Sequence, residues 1–99
     1  MKDVLKTVAI ADIMVSATNP RNHYDETALK ELSQSIKQIG VLQPVLLRPK
    51  GKTYELVCGE RRYRASKMVN KKTIPANIRE LTDEEAFEAQ IIENLERKD

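Results

Sequence analysis

The sequence has one Cys, one His and no Trp among its 99 residues. A single cysteine, Cys58, cannot form an internal disulfide, which excludes the class of disulfide-stabilised secreted proteins and favours a reducing cytoplasm. Cys58 and His23 are too far apart in the sequence for the ligand spacing of a zinc site. No apolar run approaches the roughly 18 to 20 residues that a membrane span requires. We therefore predict a soluble protein of the cytoplasm.

Charge is nearly balanced over the whole chain but is distributed unevenly along it. The formal net charge of +2 is too small to indicate generic affinity for nucleic acid. Residues 59–72 carry six basic side chains and one acid, a net charge of +5, whereas residues 80–99 carry eight acids and two basic side chains, a net charge of −6. A chain of this length, 40% hydrophobic, is sufficient for one domain.

The pattern of apolar residues and turn formers predicts an α+β domain, with a small mixed sheet of about four strands and three helices. The predicted strands run from Leu5 to Ile10, Val45 to Arg48, Thr53 to Cys58 and Ile74 to Arg79, the first of them at a sheet edge. Three helices are predicted. The first follows Asp25 as its N-cap and ends at Gly40, the second begins at or just after Gly59, and the third begins at the capping box Thr82–Glu85. In the last helix, the apolar stripe consists of Phe87, Ile91 and Leu95, widened by Ala86 and Ile92.

The junction that starts at Gly59 has the composition of an anion site. A glycine follows a predicted strand and precedes a helix rich in arginine, so free backbone N–H groups and guanidinium donors would point at one place. The residues concerned are Gly59, Glu60, Arg61, Arg62 and Arg64. The same residues are equally compatible with a solvated basic helix face on which Glu60 pairs with Arg64.

Two further groups of polar residues are candidates for a site. On the last helix, Glu93, Asn94 and Arg97 share one polar side with Gln90, and a carboxylate beside an amide can hold Mg²⁺ together with the phosphates of a nucleotide. Taken alone, this group is also compatible with an ordinary solvent-facing Glu–Arg pair.

The segment around Gln43 and Pro44 is apolar except for the amide, which could read the edge of a base or could simply bond to a turn backbone. Cys58 is compatible with a plain buried residue, and also with a nucleophile if nearby arginines lower its pKa.

Three segments together resemble the N-terminal domain of the ParB family of chromosome and plasmid partition proteins. They are GVLQPVLLRP, CGERRYRAS and ENLERKD, which begin at Gly40, Cys58 and Glu93. Their order and approximate spacing are those of the family, and Asn19-Pro20-Arg21 and the segment Leu29 to Ile39 are also similar to it. The resemblance covers nearly the whole chain and implies the ParB/sulfiredoxin-like fold.

The resemblance implies a nucleotide switch. ParB-like N-terminal domains bind CTP with Mg²⁺, hydrolyse it slowly, and let two protomers close as a clamp around DNA. Residues 1–99 would then be one nucleotide-binding domain of a nucleoid-associated protein that can also meet a partition ATPase. DNA reading and constitutive dimerisation are expected to need a helix-turn-helix domain and a C-terminal domain that this chain does not contain.

The resemblance also implies roles for individual residues. The residues that match the family's triphosphate motif are Gly59, Glu60, Arg61, Arg62 and Arg64. In its second phosphate and metal motif, Glu93 matches the residue that organises hydrolysis, Asn94 matches a Mg²⁺ ligand and Arg97 matches a phosphate contact. Gln43 and Pro44 fall in the segment that approaches the cytosine. The sequence departs from the family at Glu96, where a glutamine is usual and where the extra charge would lie near the phosphates.

Three other functions remain open from the sequence. The first is a sulfiredoxin-like enzyme that acts on oxidised cysteine with ATP, although such enzymes place the cysteine inside the phosphate loop and Cys58 precedes it. The second is a nuclease, for which no acidic cluster able to hold two metals is evident. The third is a plain DNA-binding or interaction module that uses the basic segment 59–72.

Overall fold

The three predicted helices and the mixed sheet are present in a computed structural model, which describes residues 3–15, 25–41 and 43–96, apart from the side chain of Glu96. The strands are β1 (Val4–Ala9), β2 (Ile13–Val15), β3 (Val45–Lys50), β4 (Thr53–Cys58) and β5 (Thr73–Ile78). The helices are α1 (Glu26–Ile39), α2 (Glu60–Met68) and α3 (Asp83–Glu96), and a single 3₁₀ turn, Ile10–Asp12, joins β1 to β2.

The sheet has five strands in the order β1-β5-β3-β4-β2, one more than the sequence predicts. β1 pairs antiparallel with β5 and β3 antiparallel with β4, whereas β5 pairs parallel with β3 and β2 parallel with β4. The additional strand is β2, which is only three residues long and follows directly on the 3₁₀ turn, too short for alternation to reveal it. The predicted edge position of β1 is confirmed.

Side chains cover both faces of the sheet. The core lies on the face toward α2, where Tyr63 packs over strand residues that are fully buried. Those residues are Val45, Leu47, Leu56, Ile74 and Ala76. Because successive side chains of a strand point to opposite faces, Arg48 and Glu55 lie on the other face, and there Arg48 contacts the start of α3. The sheet thus separates α2 from α3.

A β-bulge changes the direction of β4 just before α2 begins. Leu47 pairs with Leu56 but Leu46 pairs with Cys58, so Val57 is an extra residue with no partner on β3. The extra residue puts Cys58 on the face that α3 covers, and its Sγ donates to the carbonyl of Ala89 at 3.6 Å. The bulge therefore brings the end of β4 next to α3.

The start of α3 is held by hydrogen bonds from two sides. The predicted capping box is confirmed: the Glu85 N–H donates to Thr82 Oγ1 at 3.1 Å, and the Thr82 N–H donates to Glu85 Oε1 at 2.9 Å. Arg48, which is only 8% exposed, donates to Glu55 Oε1, to the carbonyl of Leu81 and to Asp83 Oδ1. Arg48 thus fixes the N-terminal end of α3 to the sheet.

Most of the predicted apolar stripe of α3 does not face the protein; the exception is Ala86, which is 5% exposed and lies on the buried side with Gln90. Phe87, Ile91 and Ile92 are exposed, and Leu95 is 78% exposed, whereas Gln90 on the polar side is 2% exposed. An amphipathic helix ordinarily buries its apolar stripe, so α3 is reversed relative to that rule. No helix in residues 3–15, 25–41 and 43–96 combines the length and the apolar character of a membrane span.

Candidate functional site

The site is built around Gly59, where β4 ends and α2 begins. Gly59 is the N-cap residue of α2 and has left-handed backbone angles, φ 101° and ψ 28°. A Cβ at this position would lie 2.7 Å from Val45 Cγ1 and 3.0 Å from Arg62 Nη2. Only glycine satisfies both the backbone angle and the close approach. The first N–H groups of α2, which have no acceptor within the helix, begin at this point.

The acceptor that Gly59 meets comes from α3. The Gly59 N–H donates to Glu93 Oε2 at 3.0 Å, which joins two residues that lie 34 positions apart in the sequence. A carboxylate at this place is favourable because the N-terminal end of a helix carries partial positive charge. Glu93 is therefore not part of a merely solvent-facing pair, and the two predicted motifs meet in space.

Arg62 connects the same place to the predicted base-binding segment. Its Nη1 donates to Gln43 Oε1 at 2.7 Å, and its Nη2 lies close to Gly59. Its Nε is buried and has no hydrogen-bond partner among the described residues. An arginine donor left without an acceptor is unusual in a folded protein, so Arg62 has capacity for an additional anionic acceptor.

The other basic residues of α2 are arranged differently. Glu60 is 5% exposed, and its Oε2 accepts from Arg64 Nε at 2.9 Å and forms an ion pair with Arg64 Nη2 at 2.8 Å. The pairing that the sequence left open is therefore present, and Arg64 also lines a groove of about 530 Å³ that α1 and α2 share. Arg61 is half-buried, and Arg97 lies outside the described residues.

Few groups are available to hold a metal ion. Asn94 is half-buried and follows Glu93 on α3. In the described part of the chain, no three Asp, Glu, His or Cys side chains lie close enough together to form a metal site. A carboxylate and an amide fit Mg²⁺ only when other oxygen ligands, such as nucleotide phosphates, complete its shell.

An apolar groove of about 400 Å³ lies beside Gln43 and Arg62. Most of its wall comes from the C-terminal half of α1 and the residues that follow it. The lining residues include Leu32, Ile36, Ile39, Gly40 and Val41. Pro44 is half-buried beside Gln43 but is not part of this lining. An apolar groove with one amide and one guanidinium at its rim has the chemistry of a site for a flat heterocycle.

Cys58 has the opposite character from a nucleophile. Burial, together with the negative charge of Glu93, raises the pKa of the Cys58 thiol to about 12, although Arg62 acts in the other direction. The thiol therefore stays protonated at neutral pH because burial and Glu93 outweigh the arginines, and of the two interpretations of Cys58 the structure favours the buried residue over the nucleophile.

Sequence reasoning missed the contribution of Arg48, which positions the helix that carries Glu93. The only signal was an arginine directly after the apolar run Val45–Leu47, where a fully solvated charge is not expected. It also missed that Gln90 is buried, with an Oε1 that has no partner among the described residues. Helical spacing placed Gln90 with Glu93 but could not tell which side faces inward.

Comparisons with known proteins identify the family of the chain. A family model described as the ParB N-terminal domain matches residues 1–95. A curated relative, the chromosome-partitioning protein Spo0J of Thermus thermophilus, is 49% identical over 90 residues, which cover 91% of this chain and 34% of the relative. The crystal structure of C-terminally truncated ParB from Caulobacter crescentus complexed with CTP-γ-S superposes with a TM-score of 0.88 at 40% identity, over 97% of this chain and 55% of that one.

The fold is also shared with an enzyme. Sulfiredoxin from Arabidopsis thaliana superposes with a TM-score of 0.71 at 28% identity, over 87% of this chain and 96% of that chain. The α+β fold predicted from the sequence is thus confirmed as the one common to ParB N-terminal domains and sulfiredoxin. The chain belongs to the ParB N-terminal domain family. It spans about a third of the length of the curated partition proteins it matches.

Proposed function

We propose that this domain binds CTP with Mg²⁺, hydrolyses it slowly, and acts as a nucleotide-controlled switch in a DNA-partition protein. The observation that carries the proposal is the convergence of Gly59, Arg62, Gln43 and Glu93 from three separate parts of the chain at one place. The CTP-γ-S complex of the Caulobacter protein supports the choice of nucleotide.

The triphosphate would bind at the start of α2. The unpartnered Nε of Arg62 supports this, together with the first-turn N–H groups of α2, which a helix leaves without internal acceptors. Arg61 and Arg64 would add positive charge on the same turn, Glu60 would orient Arg64, and Arg97 would contribute from the end of α3. Guanidinium groups suit this task because they bind phosphate oxygens in a planar, bidentate manner.

The base would occupy the apolar groove beside Gln43, with Pro44 setting the path of the backbone there. An amide can pair with cytosine or with uracil by turning over, so Gln43 would distinguish them through the orientation that the Arg62 bond to its Oε1 fixes. The groove is wide enough for a base of any kind, so the choice among nucleotides would depend on hydrogen bonds and not on volume.

Glu93 and Asn94 would hold Mg²⁺ together with phosphate oxygens, and the ion would neutralise charge on the phosphates. Glu93 is also the candidate for orienting the attacking water during hydrolysis. Both residues lie on the side of α3 that faces the sheet, which supports their assignment to one site.

The switch would act through self-association of two such domains, with DNA read by other parts of the whole protein and with a partition ATPase as a further partner. The exposed apolar stripe of α3 supports self-association, because apolar patches left on a surface are typical of interfaces. The whole protein would then be nucleoid-associated and cytoplasmic.

Isothermal titration with CTP, UTP, ATP and GTP in the presence of Mg²⁺ tests the proposal. We expect CTP to bind, and we expect Arg62→Ala to weaken binding by about tenfold or more, because a charge-assisted hydrogen bond is lost. Lys71→Ala is the matched control, since it removes one positive charge from the same basic segment but from an exposed position. Absence of binding by every nucleotide at millimolar concentration would contradict the proposal.

A further inference from the structure

Without a nucleotide, the anion position at the start of α2 already has an occupant. Glu93 Oε2 accepts the Gly59 N–H at 3.0 Å, from a helix on the opposite face of the sheet to α2. The carboxylate thus stands where the proposed function places a phosphate oxygen. A backbone N–H has one hydrogen and serves one good acceptor, so the carboxylate and a phosphate cannot both use it well.

Electrostatics add to this competition. A phosphate oxygen and the Glu93 carboxylate are both negative, and at a few ångströms in a partly desolvated site their repulsion is substantial. Arg62 is the cation beside them, and its Nε still lacks an acceptor while Glu93 is in place. The carboxylate therefore satisfies the Gly59 amide but leaves the Arg62 donor for another ligand.

The hydrogen bond between Glu93 and Gly59 lies near the C-terminal end of α3, away from the Arg48 contacts at its start. Arg48 fixes the N-terminal end of the helix at Asp83, and Glu93 follows ten residues later, about 15 Å along the axis. Between them, Ala86 and Gln90 are buried, and Cys58 Sγ donates a weak hydrogen bond to the carbonyl of Ala89. Leu95, near the C-terminal end of the helix, is almost fully exposed and adds little packing there. The Glu93 side chain can therefore leave the Gly59 amide while Arg48 and the buried Gln90 keep the helix attached.

We propose that Glu93 is an intramolecular ligand of the phosphate site, which closes the site in the nucleotide-free domain and must leave the Gly59 amide when a triphosphate binds. The inference rests on the proposed function. Because the Glu93 carboxylate already occupies the phosphate position in the nucleotide-free domain, a magnesium-free nucleotide binds poorly. A cation offers the displaced carboxylate a new partner and offsets the cost of releasing it.

Titration with CTP in EDTA and in Mg²⁺ tests the proposal on the whole chain. We expect Glu93→Ala to bind magnesium-free CTP about tenfold more tightly than the unmodified protein, because one anionic competitor is removed. We also expect the advantage conferred by Mg²⁺ to shrink in that variant. Glu88→Ala is the matched control, since it removes an exposed carboxylate from the same helix and is expected to change neither affinity.

A second readout needs no nucleotide. Hydrogen exchange of the Gly59 amide, measured by NMR, should be faster in Glu93→Ala than in the unmodified protein, while Glu88→Ala leaves it unchanged. If Glu93→Ala binds magnesium-free CTP no more tightly than the unmodified protein, or if the Gly59 amide exchanges at the same rate, the inference is wrong and the proposed function stands. If neither protein binds CTP under any condition, the proposed function fails and the inference fails with it.

Discussion

The helices α1 and α3 have the same length, fourteen residues, and both begin at a side-chain cap, but they are attached to the protein in opposite ways. α1 turns its apolar side inward, where Ile36 is almost fully buried. α3 turns its polar side inward and leaves its apolar stripe exposed. The difference teaches that α1 is a structural helix held by packing, whereas α3 is held by polar contacts that a ligand can exchange for others.

Substitution of one isoleucine on each of these two helices gives the largest expected difference in stability. Ile36→Ala should lower the free energy of unfolding by about 3 kcal/mol, because it leaves a cavity beneath α1, where the side chain is 3% exposed. Ile92→Ala on α3 should change it by less than about 1 kcal/mol, because that side chain is 54% exposed. Urea unfolding of both variants measures the difference. Equal losses would show that the two helices are held alike.

Substitution of Arg48 tests whether polar contacts hold the start of α3 on the sheet. Arg48→Ala should lower the free energy of unfolding by about 2 kcal/mol, because the half-buried Glu55 and the carbonyl of Leu81 lose their donor. It should also weaken CTP binding in the presence of Mg²⁺, since the proposed Mg²⁺ ligands Glu93 and Asn94 are carried on the helix that Arg48 positions. Arg48→Lys keeps the charge and should recover part of the stability. Unchanged CTP affinity in Arg48→Ala would show that α3 needs no anchor at this end.

Gly59 and Gly51 form a second matched pair, since both have positive φ. Gly59→Ala should lower the free energy of unfolding by about 2 kcal/mol, because a Cβ would meet Val45 and Arg62 in addition to the backbone strain. Gly51→Ala should lower it by about 1 kcal/mol, because nothing lies within 4 Å of a Cβ there. Thermal unfolding compares the two, and equal losses would argue against a tight approach at Gly59.

Cys58 gives an effect that is absent at neutral pH and appears only in alkali. Its pKa is raised from 9.0 to about 12 by burial and by Glu93, so the folded state holds the proton more tightly than the unfolded state. The free energy of unfolding should therefore fall as the pH rises above 9 toward 12. Cys58→Ser should remove that part of the alkaline loss and leave nucleotide binding at neutral pH unchanged. The same slope in both proteins, measured by urea unfolding from pH 8 to 11, would contradict the raised pKa.

Much of the fold followed from local patterns. The cap at Asp25, the stop at Gly40 and the capping box at Thr82 are contacts between near neighbours, so the sequence contains the information directly. Strand β2 was missed because three apolar residues carry no periodicity. Local patterns could not predict which side of α3 is buried, because spacing tells which residues share a face and not which face other elements cover.

The site was predictable only as separate segments. The sequence marked Gly59, Arg62, Gln43 and Glu93, but their meeting depends on the bulge at Val57 and on the Arg48 contacts, which are both long-range. The pairing of Glu60 with Arg64 was one of two alternatives and needed the structure to decide. The roles assigned to these residues in nucleotide binding remain predictions.

The central claim is that the start of α2, closed from one side by α3, receives the phosphates of CTP. An NMR titration with CTP and Mg²⁺, following the backbone amides and the Arg62 Nε–H, measures this directly. The account predicts large, saturable shifts of Gly59 and of the Arg62 Nε–H, while Gly51 at the β3–β4 turn stays unchanged. Saturable shifts confined to the groove shared by α1 and α2, or no saturable shift at all, would contradict it.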